Sequence, residues 1–409
     1  MYTNVHQGFD ALFVRGIENG KKYSHKVDFR PTLWTTATGV KPGVTSKWKT
    51  LDGTTVYEIQ PGSMNDCRQY TKNTPNNVQY WESPGPAYQY IAETYKGEIR
   101  FNPSDVTVYT IDIETETENG FPNVAYAQEV IQLITIKDTN KNKIITWGLY
   151  EFNNDIEHLE YRQFRTEENL LKDFIGWWKM NYPDVVTGWN TRYFDLPYIF
   201  NRITNVLGEA IAKRMSPWNQ VRVLEDKQFG THDTEKQRVL IAGIADLDYL
   251  ELYRKFTYSA QESYRLDYIA NVEIGERKLE NPGNSFKEFY TDHWDTFVRY
   301  NIRDVELVDK IDAKMKLMDL ALTIAYAAKV NYEDVFGPVK VWDVIIYNYL
   351  NERNIVIPRR KAGTKATAYE GAYVKDPLVG RHYNTVSFDL NSLYPMLICQ
   401  YNMSPETIT

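Results

Sequence analysis

Cysteine is nearly absent from the 409 residues. Only Cys67 and Cys399 occur, far apart and with no histidine close to either, so neither a disulfide framework nor a zinc site is expected. Long apolar runs are missing too. No stretch approaches membrane-spanning length, and Asp10, Arg15 and Glu18 interrupt the N-terminal apolar segment, which excludes a signal-peptide core. A cytosolic chain without membrane contact is expected. Excess positive charge is also lacking: the formal net charge of −7 argues against coating nucleic acid through a global field, so any basic surface must be local. There is no internal repeat and no low-complexity tract. What the chain has in quantity is aromatic residues, with 31 Tyr, 17 Phe and 10 Trp. Most should be core, because aromatic rings bury large areas, while a few remain available to stack on bases. The length favours two or three domains, each burying its own interior.

Along the chain, ALFVRGI and KYSHKVDF read as two strands joined at Asn19 and Gly20, a strong hairpin signal that opens a β-containing N-terminal domain. Pro, Gly and Asn cluster from Thr74 to Pro86, and VTVYTIDIET then turns β-like, which sets a boundary near residue 105. Strands at 106–114, 129–137 and 143–149 precede a helical EENLLKDFIGWWKM and a short strand, DVVTGW, an α/β arrangement. Val221 to Gly243 reads as an extended hairpin with a polar tip at Gly230 and His232. Trp294 to Val330 reads as a long helix with room for one break. Between Arg353 and Arg381 seven Lys or Arg face two Asp or Glu, with Tyr369, Gly371 and Tyr373 interleaved, which reads equally as a strand-contacting patch or a solvated face.

The chemistry concentrates in carboxylates. Asp112 and Glu114 lie two apart on the strand TIDIET, so both side chains leave one face of the sheet. Side by side they repel unless a cation sits between them, and hard oxygen ligands suit Mg²⁺ or Mn²⁺. Alone, the triplet is a weak signal. TGWNTRYFDLPYIFNR adds Asp195 at a strand-to-helix turn, where it serves as a helix cap or a ligand, and Asn190 five residues earlier suits the turn better than a substrate contact. VRYNIRDVELV places Tyr300 and Asp304 four apart on one helix face.

Taken in order, D-x-E on a strand, N-x-x-x-F-D after the next strand and Y-x-x-x-D on a helix resemble the three exonuclease motifs of the DEDD superfamily, in its tyrosine-containing branch. YEGAYVKDP and SFDLNSLYPMLI are similar to the Y-x-G-G-like segment and motif A of family B DNA polymerases, in the pattern of the T-even-like bacteriophage members. The resemblance implies an α/β fold: an RNase H-like exonuclease domain (106–316), a β-containing N-terminal domain (1–105) to which residues 317–360 return, and the first strand of a polymerase palm (361–409). It implies 3′ to 5′ exonuclease activity on DNA with two ions, Mg²⁺ or Mn²⁺, roughly ~4 Å apart. Asp112 would bridge the ions, Glu114 and Asp304 would complete the water-activating site, Asp195 would act through metal-bound water, and Tyr300 would orient the nucleophile. A tyrosine pKa near ~10 favours hydrogen bonding over base catalysis.

By the same resemblance Asp389 and the Leu390 carbonyl would bind polymerase metal, and Ser392, Leu393 and Tyr394 would meet the nucleotide, Tyr394 under its sugar. Phe121, Asn190, Phe194, Tyr369 and Gly371 would contact DNA, Phe121 by stacking on the frayed 3′ base, and the 221–243 hairpin would hold separated strands. Ala372 departs from the second glycine of many relatives and is shared by T-even-like members. Motif A without a second aspartate motif, fingers or thumb implies no polymerisation by this chain alone. The expectation is a split subunit, favoured over a truncated chain because no tag or linker follows, in the cytoplasm of an infected bacterium. A second polypeptide would complete the polymerase, and a sliding clamp would be reached only through that part. The alternative is a non-catalytic nucleic-acid-binding scaffold. A glycosidase fails because same-face residues two apart on a strand lie roughly ~6.7 Å apart, whereas its carboxylates must flank a sugar.

Overall fold

The computed structural model describes residues 1–36, 45–75, 78–118, 120–226, 236–358, 371, 373–404 and 407. They fall into two compact units, Met1–Arg359 and Arg360–Thr409. The first begins with an antiparallel sheet of β1 (Tyr2–Gln7), β2 (Leu12–Glu18) and β3 (Lys21–Val27). Glu18 pairs with Lys21 across the expected two-residue turn, and Asn19 and Gly20 both take positive φ, 49° and 74°. That combination matches the right-handed twist of a hairpin, and Asn and Gly adopt it at least cost. A four-stranded sheet follows, ordered β5 (Trp48–Lys49), β6 (Thr55–Ile59), β4 (Leu33–Thr35) and β7 (Tyr80–Trp81). With it come α1 (Met64–Asn73), closed by a Ser63/Asp66 capping box, and α2 (Pro86–Thr94), started by its own proline.

The central layer is a six-stranded sheet built from β8 (Val108–Thr115), β9 (Ile131–Asp138), β10 (Lys143–Gly148), β11 (Leu159–Gln163), β12 (Val185–Thr187) and, after the hairpin described below, β15 (Ala245–Asp246). Its order is β11-β10-β9-β8-β12-β15, antiparallel from β10 to β8 and parallel at β10–β11, β8–β12 and β12–β15. All eight residues of β9 are buried, which a strand shows when both faces of its sheet are covered. On one face α3 (Glu167–Met180) and α4 (Asp195–Leu207) pack against Ile111, Ile113, Ile134, Ile136 and Trp147. Leu170, Leu171, Phe174, Ile175 and Trp178 make the apolar stripe of α3, the i, i+4 pattern that gave the helix away in sequence. Each such side chain contributes roughly 1.5–3 kcal/mol by leaving water.

A short α5 (Glu209–Ala212) leads to the expected hairpin, β13 (Val221–Asp226) paired with β14 (Lys236–Ile241); its tip around Gly230 and His232 lies outside the described residues. Then come α6 (Tyr249–Phe256), α7 (Leu266–Ile274), α8 (Phe286–Asp292), α9 (Trp294–Met315), α10 (Leu317–Ala328) and α11 (Pro338–Asn351). The long helix does break once, at Lys316, whose φ of 58° is left-handed. Helices α8 and α9 cover the other face of the sheet, with Phe289, Phe297 and Ile302 against Leu133 and Ile144. Past the break the chain packs on the N-terminal sheet. Tyr326 Oη donates to the Tyr2 carbonyl at 2.7 Å, and the Asn331 amide exchanges hydrogen bonds with the Val5 backbone at 2.8 and 3.0 Å.

The described part of the second unit holds one helix, α12 (Leu393–Gln400). The first palm strand expected around Asp389 is not formed: residues 385–390 make no ladder with any described residue. A strand exists only through a neighbour that takes up its backbone hydrogen bonds, and none is present among the described residues of this unit.

Candidate active site

β8 delivers the first two carboxylates. Its odd positions, Ile111 and Ile113, face α3 and α4, so the even positions, Asp112 and Glu114, emerge on the α9 side opposite Thr135 and Leu133 of β9. β12 pairs with β8 only as far as Thr110, which leaves the β8 edge free beyond it. There the Ile113 N–H donates to Asp195 Oδ1 at 3.0 Å, seating the buried Asp195 in the first turn of α4.

The turn before α4 is held by backbone and by a second acid. Asn190 takes φ 72°, its carbonyl accepts from Phe194 N at 3.0 Å, and its N–H donates to Asp248 Oδ1 at 3.1 Å. Asn190 therefore does the work of a turn residue. Asp248 also accepts from Arg192 N and caps α6 through Leu250 N.

From α9, Tyr300 and Asp304 reach the same place. One oxygen each from Asp112, Glu114 and Asp304 lies within 4.8 Å of the others. Asp304 Oδ2 pairs with Lys278 Nζ at 2.5 Å, and that ammonium also sits 4.6 Å from the centre of the Tyr300 ring. Phe289 of α8 backs the tyrosine edge-on at 5.5 Å. A cavity of about 330 Å³ opens beside Tyr300 and Lys278, between Arg277, Phe286 and Phe289. Asn301, fully buried, donates from Nδ2 to Asp112 Oδ2 at 2.6 Å.

Burial dominates the electrostatics. It raises Asp112 well above the usual carboxylate range, with Asp195, Asp304 and Glu114 adding repulsion; it pushes Glu114 up to about 8 and Asp195 to about 7. Asp304 rises to about 6, burial outweighing the help of Lys278, and burial with Asp304 close by lifts Tyr300 to about 12. Asp112, Glu114 and Asp304 thus share the Lys278 ammonium. Asp304 Oδ1 is buried and accepts no hydrogen bond, a cost that a divalent cation would remove. The donor set, all hard carboxylate oxygen, fits such an ion.

Phe121 is 86% exposed on the loop after β8, its ring 5.6 Å from Phe194, which in turn lies 5.7 Å from Tyr198. Glu118 anchors this loop to α8, accepting from Lys287 at 2.8 Å and from Tyr290 at 3.1 Å. Tyr369 lies outside the described residues, as does much of the basic run; Gly371 is exposed. In the second unit Asp389, Leu390, Ser392, Leu393 and Tyr394 are all exposed around the start of α12, with Ser392 at φ 51°. Sequence reading missed Lys278 and Asn301.

The match that decides the family covers residues 49–269, more than half of the chain, and is to the exonuclease domain of DNA polymerase family B. The chain belongs to the family B DNA polymerases. Residues 339–409 also match the family B polymerase domain. The family B chain is 33% identical to the DNA-directed DNA polymerase of Escherichia phage RB69 over 435 residues, covering 100% of this chain and 47% of the relative. It is 33% identical to that of Enterobacteria phage T4 over 421 residues, covering 96% and 45%. It is 24% identical to a DNA polymerase of Thermococcus gorgonarius over 367 residues, covering 86% and 44%. The chain thus spans about half the length of these relatives. Tyr300 and Asp304 lie beyond the matched exonuclease stretch, so their place in this family B site rests on the geometry above. Among the described residues no helix is long and apolar enough to cross a membrane.

Proposed function

We propose that this chain removes nucleotides one at a time from the 3′ end of DNA, the proofreading half of a replicative polymerase. The observation that carries the reading is the convergence of Asp112, Glu114 and Asp304, with Asp195 and Tyr300 beside them, from three separate segments. Asp112, Glu114 and Asp304 would hold the cation, with Asp195 completing a site for two Mg²⁺ or Mn²⁺ ions. Such ions, when bound, supply Lewis acidity at the phosphate and an activated water.

The chain's own residues do the rest. Tyr300, raised to about 12, keeps its proton at neutral pH and orients the attacking water by hydrogen bonding rather than removing its proton. Lys278 holds Asp304 in place and offers positive charge beside the tyrosine, where a scissile phosphate would bring negative charge. The exposed ring of Phe121, backed by Phe194, provides a platform on which the terminal base stacks.

Asp389, Leu390 and Tyr394 are assigned to polymerase chemistry completed by the other half of the relatives' length, on the same or a second polypeptide, and clamp contact to that half as well. The phage relatives support a place in the cytoplasm of an infected bacterium. The test is polarity: a 5′-labelled single strand should shorten stepwise with Mg²⁺ and stay intact in EDTA, and an inverted 3′ terminus should block it. Equal digestion of the blocked strand would refute a 3′ exonuclease.

A further inference from the structure

We propose that Asn301 is a positioning residue that fixes the Asp112 carboxylate for a divalent cation, an inference that rests on the exonuclease reading of the acidic cluster. Asn301 is fully buried on the face of α9 that meets β8, one residue from Tyr300 and three from Asp304. Its Nδ2 donates to Asp112 Oδ2 at 2.6 Å, a contact short enough for a charge-assisted bond. With a cation in the cluster Asp112 is ionised and only accepts, so the amide nitrogen must face it.

A structural asparagine at this depth would spend both ends of its amide on the fold. Asn301 does not: its Oδ1 is buried and accepts no hydrogen bond, and Asp304 Oδ1, on the same helix face, is in the same condition. Leaving a buried carbonyl unpaired is costly, so the residue is not there for local stability. The bond to Asp112 is what remains for it to do. A carboxylate at the middle of a strand can rotate about its last torsion, and two acids facing it, Glu114 and Asp304, push it away from the shared position. One donor from the opposing helix removes that rotation and keeps Asp112 aimed at the cluster while no cation is there to do so. Partners of ligating carboxylates of this kind typically govern metal affinity by about 10- to 100-fold.

The test uses the full chain with Mn²⁺ as the probe. Calorimetric titration gives the Mn²⁺ dissociation constant, and cleavage of a labelled single strand is followed against Mn²⁺ concentration. Asn301→Leu should raise both the dissociation constant and the half-saturating Mn²⁺ by about 10- to 100-fold, with the cleavage rate recovered at high Mn²⁺. Asn301→Ser, which removes the bond with less disturbance of packing, should do the same and keeps the question open to measurement if the leucine variant fails to fold. In an Asp112→Ala background, Asn301→Ser should leave the Mn²⁺ affinity where it was, because the partner is already gone. Unchanged Mn²⁺ affinity in folded variants overturns the proposal, as does a rate loss that added Mn²⁺ does not repair. Failure of the unmutated chain to cleave would instead strike at the exonuclease reading, and the calorimetry would still report on Asn301.

Discussion

Two regions of this chain carry aspartates that resemble metal ligands, and the structure treats them in opposite ways. At β8 and α9, Asp112, Glu114 and Asp304 converge beside a buried Asp195, with Lys278 and Asn301 holding two of them. In the second unit Asp389 is exposed on a segment without strand pairing. A ligand motif is a local string, whereas a ligand site needs a second and third element brought up against it. The first region has a two-faced sheet to do that, and the second has no neighbouring strand among its described residues. Convergence has a cost in the first region, where burial, with mutual repulsion added to it, raises Asp112, Glu114, Asp195 and Asp304 above the ordinary carboxylate range.

The largest expected effect separates the two regions outright. Asp112→Ala with Glu114→Ala should lower the rate of 3′ nucleotide release by about 10³-fold or more, the loss of several kcal/mol of charge stabilisation, while circular dichroism stays unchanged. Asp389→Ala should leave that rate where it was. A comparable loss in Asp389→Ala would break the comparison.

Next, Tyr300→Phe should slow cleavage by about 10- to 100-fold at saturating metal without weakening metal binding, the worth of one hydrogen bond to a charged group. A shift in metal affinity of the same size would move Tyr300 from orienting water to holding the site together. Phe121→Ala should cost about 1–3 kcal/mol of single-strand binding, read as a higher KM, with no change in melting temperature, because the ring is 86% exposed.

The remaining effect concerns pH and is read on stability, not on cleavage. In the metal-free chain Asp304, Asp195 and Glu114 rise to about 6, 7 and 8 from ordinary values of 3.8, 3.8 and 4.5. Each keeps its proton in the folded state over a range where the unfolded chain has already lost it, so the folded state binds more protons and stability falls as pH rises. The fall should begin near pH 4 and run through about pH 8, the folded value of Glu114, with Asp112, which burial also raises well above its ordinary value, adding to it. Melting temperatures measured in EDTA should therefore decline across that window, and Mn²⁺ should flatten the decline. A melting temperature that climbs from pH 6 to 8 in EDTA would contradict the raising of these acids by burial and by one another.

Asp112, Glu114, Asp195, Tyr300 and Asp304 were legible as an ordered set of motifs that resembles those of the exonucleases; alternation on β8, an apolar helix after a short strand and a four-residue step on α9 placed them on their elements, and each signal alone was weak. Lys278 was not, since it lies in the irregular stretch between α7 and α8 and reaches Asp304 only through tertiary packing. Asn301 sits inside a segment already singled out, yet a polar residue on a helix reads as surface until the strand it faces is known. β11 escaped notice because only Leu159 of its five residues is buried, as suits the edge of a sheet. Asn190 was weighed between turn and substrate, and its left-handed backbone with its N–H bonded to Asp248 shows the turn role. The palm strand at Asp389 was expected from a motif whose structure depends on partners that sequence pattern cannot supply.

The most direct test of the account is anomalous diffraction from crystals of the full chain grown with Mn²⁺. The account predicts anomalous peaks within ligand distance of Asp112, Glu114 and Asp304, absent from crystals of the Asp112→Ala, Glu114→Ala chain. Mn²⁺-dependent cleavage in solution with no peak at these carboxylates would contradict it.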